Sequence, residues 1–316
     1  MLIMTVRPDV GKWMTDHHVV WMEGDELLCR VPFTGVDWTM LEEMVLHEAP
    51  VACAHEDEAQ RSARPAPAAV NLVRQPVHRR FEVYAQLNPG ARAVKFNQSE
   101  LTYGELDSQA DGLAVLLQSQ GLGPGDLCAI CMQGSLAMVR AILAVLKAGG
   151  ACLPLDPTLH DARIAATLSA SNARTVITQE AFSDRFAGTN AQIIYCDEQT
   201  DDLPCSWPLD CLTEDVSPAC AICRFSEVDC PVIVVKDHAN VIDGLESMQE
   251  ISPIGQGDSL LQSSDYAFDA SVWEFLWPLT HGARLVILPA REKMDLERIR
   301  QLIVQERITV MHVNLR

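Results

Sequence analysis

The apolar positions of the chain repeat with two different periods. Between residues 102 and 121, four apolar residues recur at the spacing of one helical face: Leu106, Ala110, Leu113 and Leu117. Thr102 followed three residues later by Glu105 matches a capping box, which predicts that this helix begins there. The next stretch, 127–132, is short and continuously apolar, as in a buried strand.

The same two patterns continue to alternate to residue 316. They predict helices at 135–148, 161–169, 240–248 and 271–279, with a further helical face at 296–303. They predict strands at 151–155, 174–178, 192–196, 218–223, 231–235, 259–262 and 308–312, and a short apolar segment at 284–288. Repeated βα units predict an α/β fold of mostly parallel sheets covered by helices.

The first quarter of the chain follows neither period. Residues 1–54 carry apolar patches without a sustained repeat and form a poorly defined N-terminal segment. Residues 55–74 begin with a polar stretch rich in charges and proline, as in a linker. The sequence therefore predicts one main domain at 75–316, preceded by a linker and a segment of undefined fold.

Composition and charge narrow the classes of function. The 316 residues are 48% hydrophobic and 21% charged, which is a globular composition. A formal net charge of -19 repels nucleic acid and anionic lipid, so we expect neither as a partner. The N-terminus lacks the pattern of a signal peptide, and we expect a cytoplasmic protein.

Eleven cysteines include two CxxC pairs, at Cys128–Cys131 and Cys220–Cys223. Such pairs occur in zinc ribbons. Both pairs here lie in apolar runs predicted to be strands, where residues three apart point to opposite faces and cannot hold one ion. We therefore expect reduced structural cysteines and no zinc.

Three motifs follow one another along the predicted domain. They are Leu101–Leu106 (LTYGEL), Leu146–Pro157 (LKAGGACLPLDP) and Phe268–Glu274 (FDASVWE). In type, order and interval they resemble motifs of the adenylation domains of nonribosomal peptide synthetases, which belong to the adenylate-forming ligases. The resemblance covers residues 75–316 and implies the N-terminal portion of the adenylate-forming fold.

The resemblance also implies a reaction and a pocket. The family uses ATP and Mg²⁺ to convert an amino acid into its adenylate for secondary-metabolite biosynthesis. Asp269 would bind the substrate ammonium, and Ala270 and Trp273 would line its side-chain slot. His312 falls at a further pocket position of the family. A histidine there, and the residues that follow Glu274, both resemble the sequences of serine-activating enzymes. Read without the family, Asp269 is a helix N-terminal residue and His312 a strand residue.

The phosphate loop of the family is not preserved. Between the second and third motifs the family carries Y-T-S-G-[ST]-T-G-x-P-K-G, whose amides and lysine surround ATP phosphates. Aligned from His238, the corresponding residues 223–233 keep only Pro231. The degenerate loop positions are Arg224, Ser226, Glu227, Asp229 and Val232.

Each change in this loop acts against a phosphate cradle. Glycines allow close backbone approach and positive φ, and every glycine is gone. Val232 stands at the lysine position, while Glu227 and Asp229 bring negative charge towards a triphosphate. Arg224 is a cation, but one side chain does not replace a ring of amides. We therefore expect neither ATP nor Mg²⁺ to bind.

The sequence thus predicts a partial or degenerate adenylation domain that is inactive alone. The family's later motifs, including the lysine of its small C-terminal subdomain, would lie beyond Arg316. The chain is then a remnant, one segment of a larger synthetase or a frame-shifted copy around 223–236. The alternatives are a non-catalytic module that binds an amino acid or a carrier protein, and an enzyme completed by other synthetase domains.

Overall fold

The structure, a computed structural model, describes residues 2–5, 11–15, 18–23, 26–32, 75–197, 213–225, 230–264 and 269–313. Side chains are described for 75–197, 213–225, 230–264, 271–295 and 297–311. The linker predicted at 55–74 lies outside these ranges, and the division of the chain into 1–54, 55–74 and 75–316 stays a prediction.

Fifteen strands form three sheets within the described ranges. They are β1 Leu2–Thr5, β2 Gly11–Thr15, β3 His18–Glu23, β4 Glu26–Pro32, β5 Arg92–Phe96, β6 Ser99–Thr102, β7 Leu127–Cys131, β8 Ala151–Pro154, β9 Thr175–Thr178, β10 Gln192–Tyr195, β11 Pro218–Phe225, β12 Pro231–Asp237, β13 Ser259–Gln262, β14 Arg284–Ile287 and β15 Val310–Val313. The strand orders are β1-β15-β13-β14-β5-β6, β10-β9-β7-β8-β11-β12 and β2-β3-β4.

The two six-stranded sheets are parallel inside and antiparallel at their edges. In the first sheet β15, β13, β14 and β5 run parallel, and β1 and β6 lie antiparallel at the two ends. In the second sheet β10, β9, β7, β8 and β11 run parallel, and β12 closes one edge as the second strand of a hairpin. The predicted α/β class with largely parallel sheets is confirmed.

The described α-helices are α1 Val77–Leu87, α2 Tyr103–Ser119, α3 Leu136–Lys147, α4 Asp161–Ser171, α5 His238–Ile251, α6 Asp269–Thr280 and α7 Leu296–Gln305. Side-chain caps fix where several of them begin. Thr102 and Glu105 form the predicted capping box of α2, with Glu105 accepting from the Thr102 N–H at 2.8 Å. Asp237 caps α5 by accepting from the Asn240 N–H at 2.7 Å.

The main core lies between the two six-stranded sheets. It joins buried residues of α1, α2, α3, α5 and α6 to the inner faces of both sheets. A second core covers the other face of the second sheet, where Ile164 and Leu168 of α4 pack on Val176 of β9. Helices therefore cover both faces of the second sheet, as expected for parallel strands buried on each side.

The cysteines follow the geometry that the strands impose. Cys128 and Cys220 face the core between the sheets, whereas Cys131 and Cys223 pack in the core on the opposite face. Cys152 pairs in register with both Cys128 and Cys220, so three buried thiols form a row across β7, β8 and β11. For two thiols of this row, Cys128 and Cys152, burial raises the pKa above its usual value.

Six strands and one helix of the described residues are not predicted by the pattern. Strands β1 to β4 are four to seven residues long and lie in the segment 1–54, for which the pattern indicates no defined fold. Helix α1 was missed because it buries charged residues, Arg80 and Glu82, at positions where a periodic pattern requires apolar ones. Strands β5 and β6 were not predicted either.

A cluster of charges explains the burial of Glu82. The ammonium of Lys147, at the end of α3, lies 2.6 Å from Asp107 and 2.5 Å from Asp111 of α2, and 3.3 Å from Glu82 of α1. Only 2% of the Lys147 side chain is exposed. Despite desolvation, the three carboxylates hold the pKa of Lys147 above its usual value, so the lysine stays charged and ties three helices together.

A buried histidine joins α1 to α5. Nδ1 of His238 accepts a hydrogen bond from the Val77 N–H at 3.2 Å, which satisfies one free donor at the start of α1. The ring of His78 packs edge-on against it, with 5.5 Å between centroids. Burial lowers the pKa of His238 to about 4, and burial together with nearby cations lowers that of His78. Both rings are therefore neutral at pH 7.

We predict that acidification destabilises the fold through His238. The unfolded histidine has a pKa near 6.5 and the folded one about 4, so the unfolded chain binds the proton more tightly. The stabilisation is complete above pH 6.5 and is lost as pH falls towards 4, by about 2 kcal/mol between pH 7 and pH 5. Urea unfolding at both pH values measures it.

The matched variants are His238→Gln and His160→Gln. Glutamine at 238 keeps an acceptor for the Val77 N–H but does not titrate, so its pH 7 to 5 loss is about 2 kcal/mol smaller than that of the parent chain. His160 is exposed, and its replacement leaves the loss unchanged. An equal loss in the parent chain and His238→Gln would contradict the assignment.

Candidate active site

The third sequence motif marks the passage from β13 to α6. Helix α6 begins at Asp269, seven residues after the carboxyl end of β13 at Gln262. Ligands of α/β proteins bind at the carboxyl ends of parallel strands. The backbone therefore puts Asp269 and Ala270 in the first turn of a helix at such an end. Their side chains lie outside the described part of the chain.

A buried carboxylate holds the segment between β13 and α6. Glu274 is 3% exposed and accepts hydrogen bonds from Ser264, through its N–H at 3.2 Å and its Oγ at 2.8 Å, and from Nε2 of Gln262 at 3.0 Å. The carbonyl of Ser264 in turn accepts from Gln262 and from Lys293, each at 2.6 Å. One turn of α6 is thus fastened to the strand end that precedes it.

Trp273 lies on the side of α6 that faces α5 and β12. Its indole is half-buried and packs against the main core. Gly244 of α5 lies so close that a Cβ there would be 2.6 Å from Cζ3 of the ring. The ammonium of Lys236, near the end of β12, lies 5.2 Å from the ring centroid. The ring therefore occupies a defined place between two elements.

His312 lies at the same edge of the first sheet as the start of α6. Strands β13 and β15 are parallel neighbours, with Leu261 opposite Met311. His312, one residue further on, is level with Gln262 at the carboxyl ends of both strands. Its side chain is outside the described residues. The backbone alone brings His312 close to the segment that leads to Asp269.

The strands on either side of residues 226–229, which align with the phosphate loop of the family, form an antiparallel pair. Strands β11 and β12 pair antiparallel as far as Phe225 opposite Pro231, and Arg224 lies opposite Val232. Both Arg224 and Val232 are exposed, Val232 by 50%. Ser226, Glu227 and Asp229 lie outside the described residues. An apolar side chain thus occupies the strand position at which the family resemblance requires lysine.

Helix α4 packs against the end of β11 that lies next to residues 226–229. The guanidinium of Arg163 lies 4.6 Å from the ring centroid of Phe225, a cation–π distance. One turn later, Oγ1 of Thr167 is 3.4 Å from Sγ of Cys223. In the ranges searched, no three His, Cys, Asp or Glu side chains are grouped to hold a metal ion. Within the same ranges, no helix is long and apolar enough to cross a membrane.

Comparison with known proteins identifies this arrangement. The family described as AMP-binding enzyme matches residues 81–217 and 231–314. The chain belongs to the AMP-binding enzyme family. The match leaves out 218–230, the stretch that contains all of β11 and the residues between β11 and β12. The family assignment and the N-terminal portion of the adenylate-forming fold, both expected from the three motifs, are confirmed.

Relatives within the AMP-binding family are nonribosomal peptide synthetases. Tyrocidine synthase 3 of Brevibacillus parabrevis is 35% identical over 237 residues, which are 75% of this chain and 4% of that protein. The synthetase FmoA3 (S1046A) has a similar fold in its AMPPNP-bound form, with TM-score 0.67, 27% identity and coverage of 86% of this chain and 27% of that one. Its form bound to alpha-methyl-L-serine-AMP gives TM-score 0.68, 26% identity and coverages of 88% and 29%. The chain spans well under two thirds of each.

Three residues of the site escaped the sequence reasoning. Glu274 was part of the quoted motif, but its bonds to Ser264 depend on a fold that brings α6 back to β13. Gly244 and Lys236 approach Trp273 from elements more than 25 residues away, and neither carries a motif signal. A glycine in the middle of the apolar face of a predicted helix is the one local sign that something packs closely there.

We predict that Glu274→Ala destabilises the chain by about 3 kcal/mol, because it removes the carboxylate that accepts three buried hydrogen bonds from Gln262 and Ser264. Glu274→Gln retains the volume and one acceptor oxygen, and we expect it to destabilise the chain less than Glu274→Ala does. Urea unfolding at pH 7 measures both. Glu250→Ala, on the exposed side of α5, is the control and changes stability by less than about 0.5 kcal/mol. Equal effects of Glu274→Ala and Glu250→Ala would disprove the buried network.

Proposed function

We propose that this chain is an amino-acid-binding member of the AMP-binding enzyme family that does not form an adenylate alone. The observation that carries the proposal is the break in the family match between residues 217 and 231. Strand β11 lies within this break and pairs antiparallel with β12, which begins where the match resumes. The sheet is therefore retained in a stretch that the family model does not match.

The residues of the hairpin do not fit a triphosphate. A phosphate cradle needs several backbone N–H groups and a cation directed at one point. The glycines of the family loop are absent, and Val232 offers a hydrocarbon surface in place of an ammonium group. Glu227 and Asp229 add negative charge to the sequence between the two strands. We derive no step through ATP or Mg²⁺ and propose that neither is held here.

The amino-acid side of the site is retained in residue type. We propose that Asp269 pairs with the substrate ammonium through charge-assisted hydrogen bonds, and that Ala270, Trp273 and His312 line the side-chain slot. The proposal is supported by the place of α6 and β15 at one sheet edge. FmoA3, which has a similar fold, is described bound to alpha-methyl-L-serine-AMP. A small hydroxylated amino acid such as serine is the proposed ligand.

Other synthetase domains are the proposed macromolecular partners. The relatives are far longer than this chain, which covers 4% of tyrocidine synthase 3. The reaction of such a synthetase, and any part this chain has in it, belongs to the proposal. A chain that binds an amino acid without holding ATP phosphate would act as a pseudoenzyme in that setting.

We predict that the purified chain shows no saturable binding of Mg-ATP, with or without serine. Isothermal titration at low salt tests this, because weak electrostatic binding is strongest there. The expected heats equal those of dilution. Saturable binding at micromolar to millimolar ATP would overturn the proposal, since it would mean that the hairpin rebuilds a phosphate site.

A matched variant makes a negative result informative. Residues 223–233 are replaced by the glycine- and lysine-containing loop of the family, which has the same eleven-residue length. We expect this variant to bind Mg-ATP at least about tenfold more tightly than the parent chain, equivalent to about 1.4 kcal/mol. No gain would show that groups outside the hairpin decide ATP binding.

We further predict that serine binding depends on Asp269. Titration of the parent chain with serine, glycine, threonine and leucine identifies the preferred ligand. Asp269→Asn keeps the shape of the side chain but removes its charge, and we expect affinity to fall at least about tenfold, the loss of one charge-assisted interaction. Flat heats with every amino acid tested would remove the binding proposal.

A further inference from the structure

The close approach of Gly244 and Trp273 has no counterpart among the other glycines of the described helices. A Cβ on Gly244 would lie 2.6 Å from Cζ3 and 3.0 Å from Cζ2 of the indole, and closer still to Cη2. Real Cβ atoms essentially never come within 3.0 Å of a neighbour. The six-membered edge of the ring thus occupies the space of a missing side chain on α5.

Glycine is an unfavourable residue at this position for the helix itself. In a helix interior it destabilises by about 1 kcal/mol relative to alanine. Gly244 lies in the middle of α5, between buried Val241 and Leu245. No positive φ is recorded for Gly244, so the backbone does not require glycine. The packing of the Trp273 edge against the helix is the structural feature that does.

Lys236 holds the same ring from a different direction. Its ammonium lies 5.2 Å from the ring centroid, within the range of a cation–π contact. Lys236 is on β12 and Gly244 is on α5, two elements that follow each other directly at Asp237 and His238. Strand β12 and helix α5 therefore both contribute to the surface against which the indole packs.

We propose that Gly244 is a specificity-determining residue: by admitting the edge of Trp273 to α5, it sets the width of the amino-acid slot that Trp273 lines. The inference rests on the proposed function, since it assumes that Trp273 borders a ligand. With glycine at 244 the ring packs directly against α5, which leaves more room on the other side of the ring than a larger residue at 244 would. Alanine at 244 pushes the ring away from α5 and narrows the space on its other side.

The first part of the test concerns the contact alone. Thermal unfolding is compared for the parent chain, Gly244→Ala, Trp273→Leu and the double variant. We expect Gly244→Ala to lower Tm by about 2 °C or more in the parent chain and to raise it in the Trp273→Leu background, where only helix propensity remains. Gly123→Ala, at a glycine with nothing within 4 Å, is the control and shows no coupling to Trp273.

The second part concerns the ligand. Glycine, alanine, serine, threonine and valine are titrated into the parent chain and into Gly244→Ala. We expect the ratio of threonine Kd to serine Kd to rise at least about fivefold in the variant, a change of about 1 kcal/mol. Gly244→Ser, slightly larger, provides a second point, and we expect the ratio to rise further.

The outcomes separate the inference from the proposed function. Additive Tm effects would overturn the Gly244–Trp273 contact whatever the titrations show. Coupling in Tm with an unchanged threonine to serine ratio would overturn the role in specificity alone. Coupling in Tm with no amino acid bound by the parent chain would overturn the proposed function and, with it, the slot, while leaving the packing contact established.

Discussion

A single buried ammonium group organises the layer of helices between the two sheets. Lys147 is desolvated, and it is held by carboxylates from α1 and α2 within 3.3 Å. A charge in such a place is strongly unfavourable unless it is paired. The ion pairs therefore favour the one packing of the three helices in which Glu82, Asp107 and Asp111 all lie next to Lys147. Desolvation raises the pKa of Asp107, and the neighbouring Lys147 ammonium opposes that rise.

The candidate site depends on this cluster through α1. The same helix that contributes Glu82 also contributes Arg80, which pairs with Glu246 of α5, and Val77, which donates to His238 at the start of α5. Gly244 lies on α5 between these two attachment points. The position of the Trp273 indole is thus set by a chain of contacts that begins at a buried lysine on α3. Buried polar groups that do not contact the candidate site thus help to position it.

The sequence predicted most of the fold because most of it follows local rules. Thr102 and Glu105 cap α2 as expected, and the buried strands β7, β8 and β13 coincide with short apolar runs. The failure at α1 has a physical cause. Helix α1 hides its periodicity because its buried face carries charges that are satisfied only by Lys147 and Glu246.

The same limit applies to the candidate site. The motif identified Asp269, Ala270 and Trp273 as a group, and their roles stay proposals. The contacts of Glu274, Lys236 and Gly244 depend on residues distant in sequence, so no pattern along the chain reveals them. The charge of Glu227 and Asp229 and the loss of glycines in the hairpin were legible from residue types alone, because phosphate binding has local chemical requirements.

Because of the row of thiols across the second sheet, refolding of the chain depends on whether the solvent is reducing or oxidising. Cys128, Cys152 and Cys220 are protected from oxidants while the sheet is closed, since all three are buried, and burial raises the pKa of the Cys128 and Cys152 thiols. Once the sheet opens, any of them is open to oxidation to a sulfinic or sulfonic acid, a charged group that has no room between packed strands. Opening is then reversible in a reducing solvent and becomes a one-way step in an oxidising one. Oxidised cysteines in this row would therefore mark chains that have opened in an oxidising solvent.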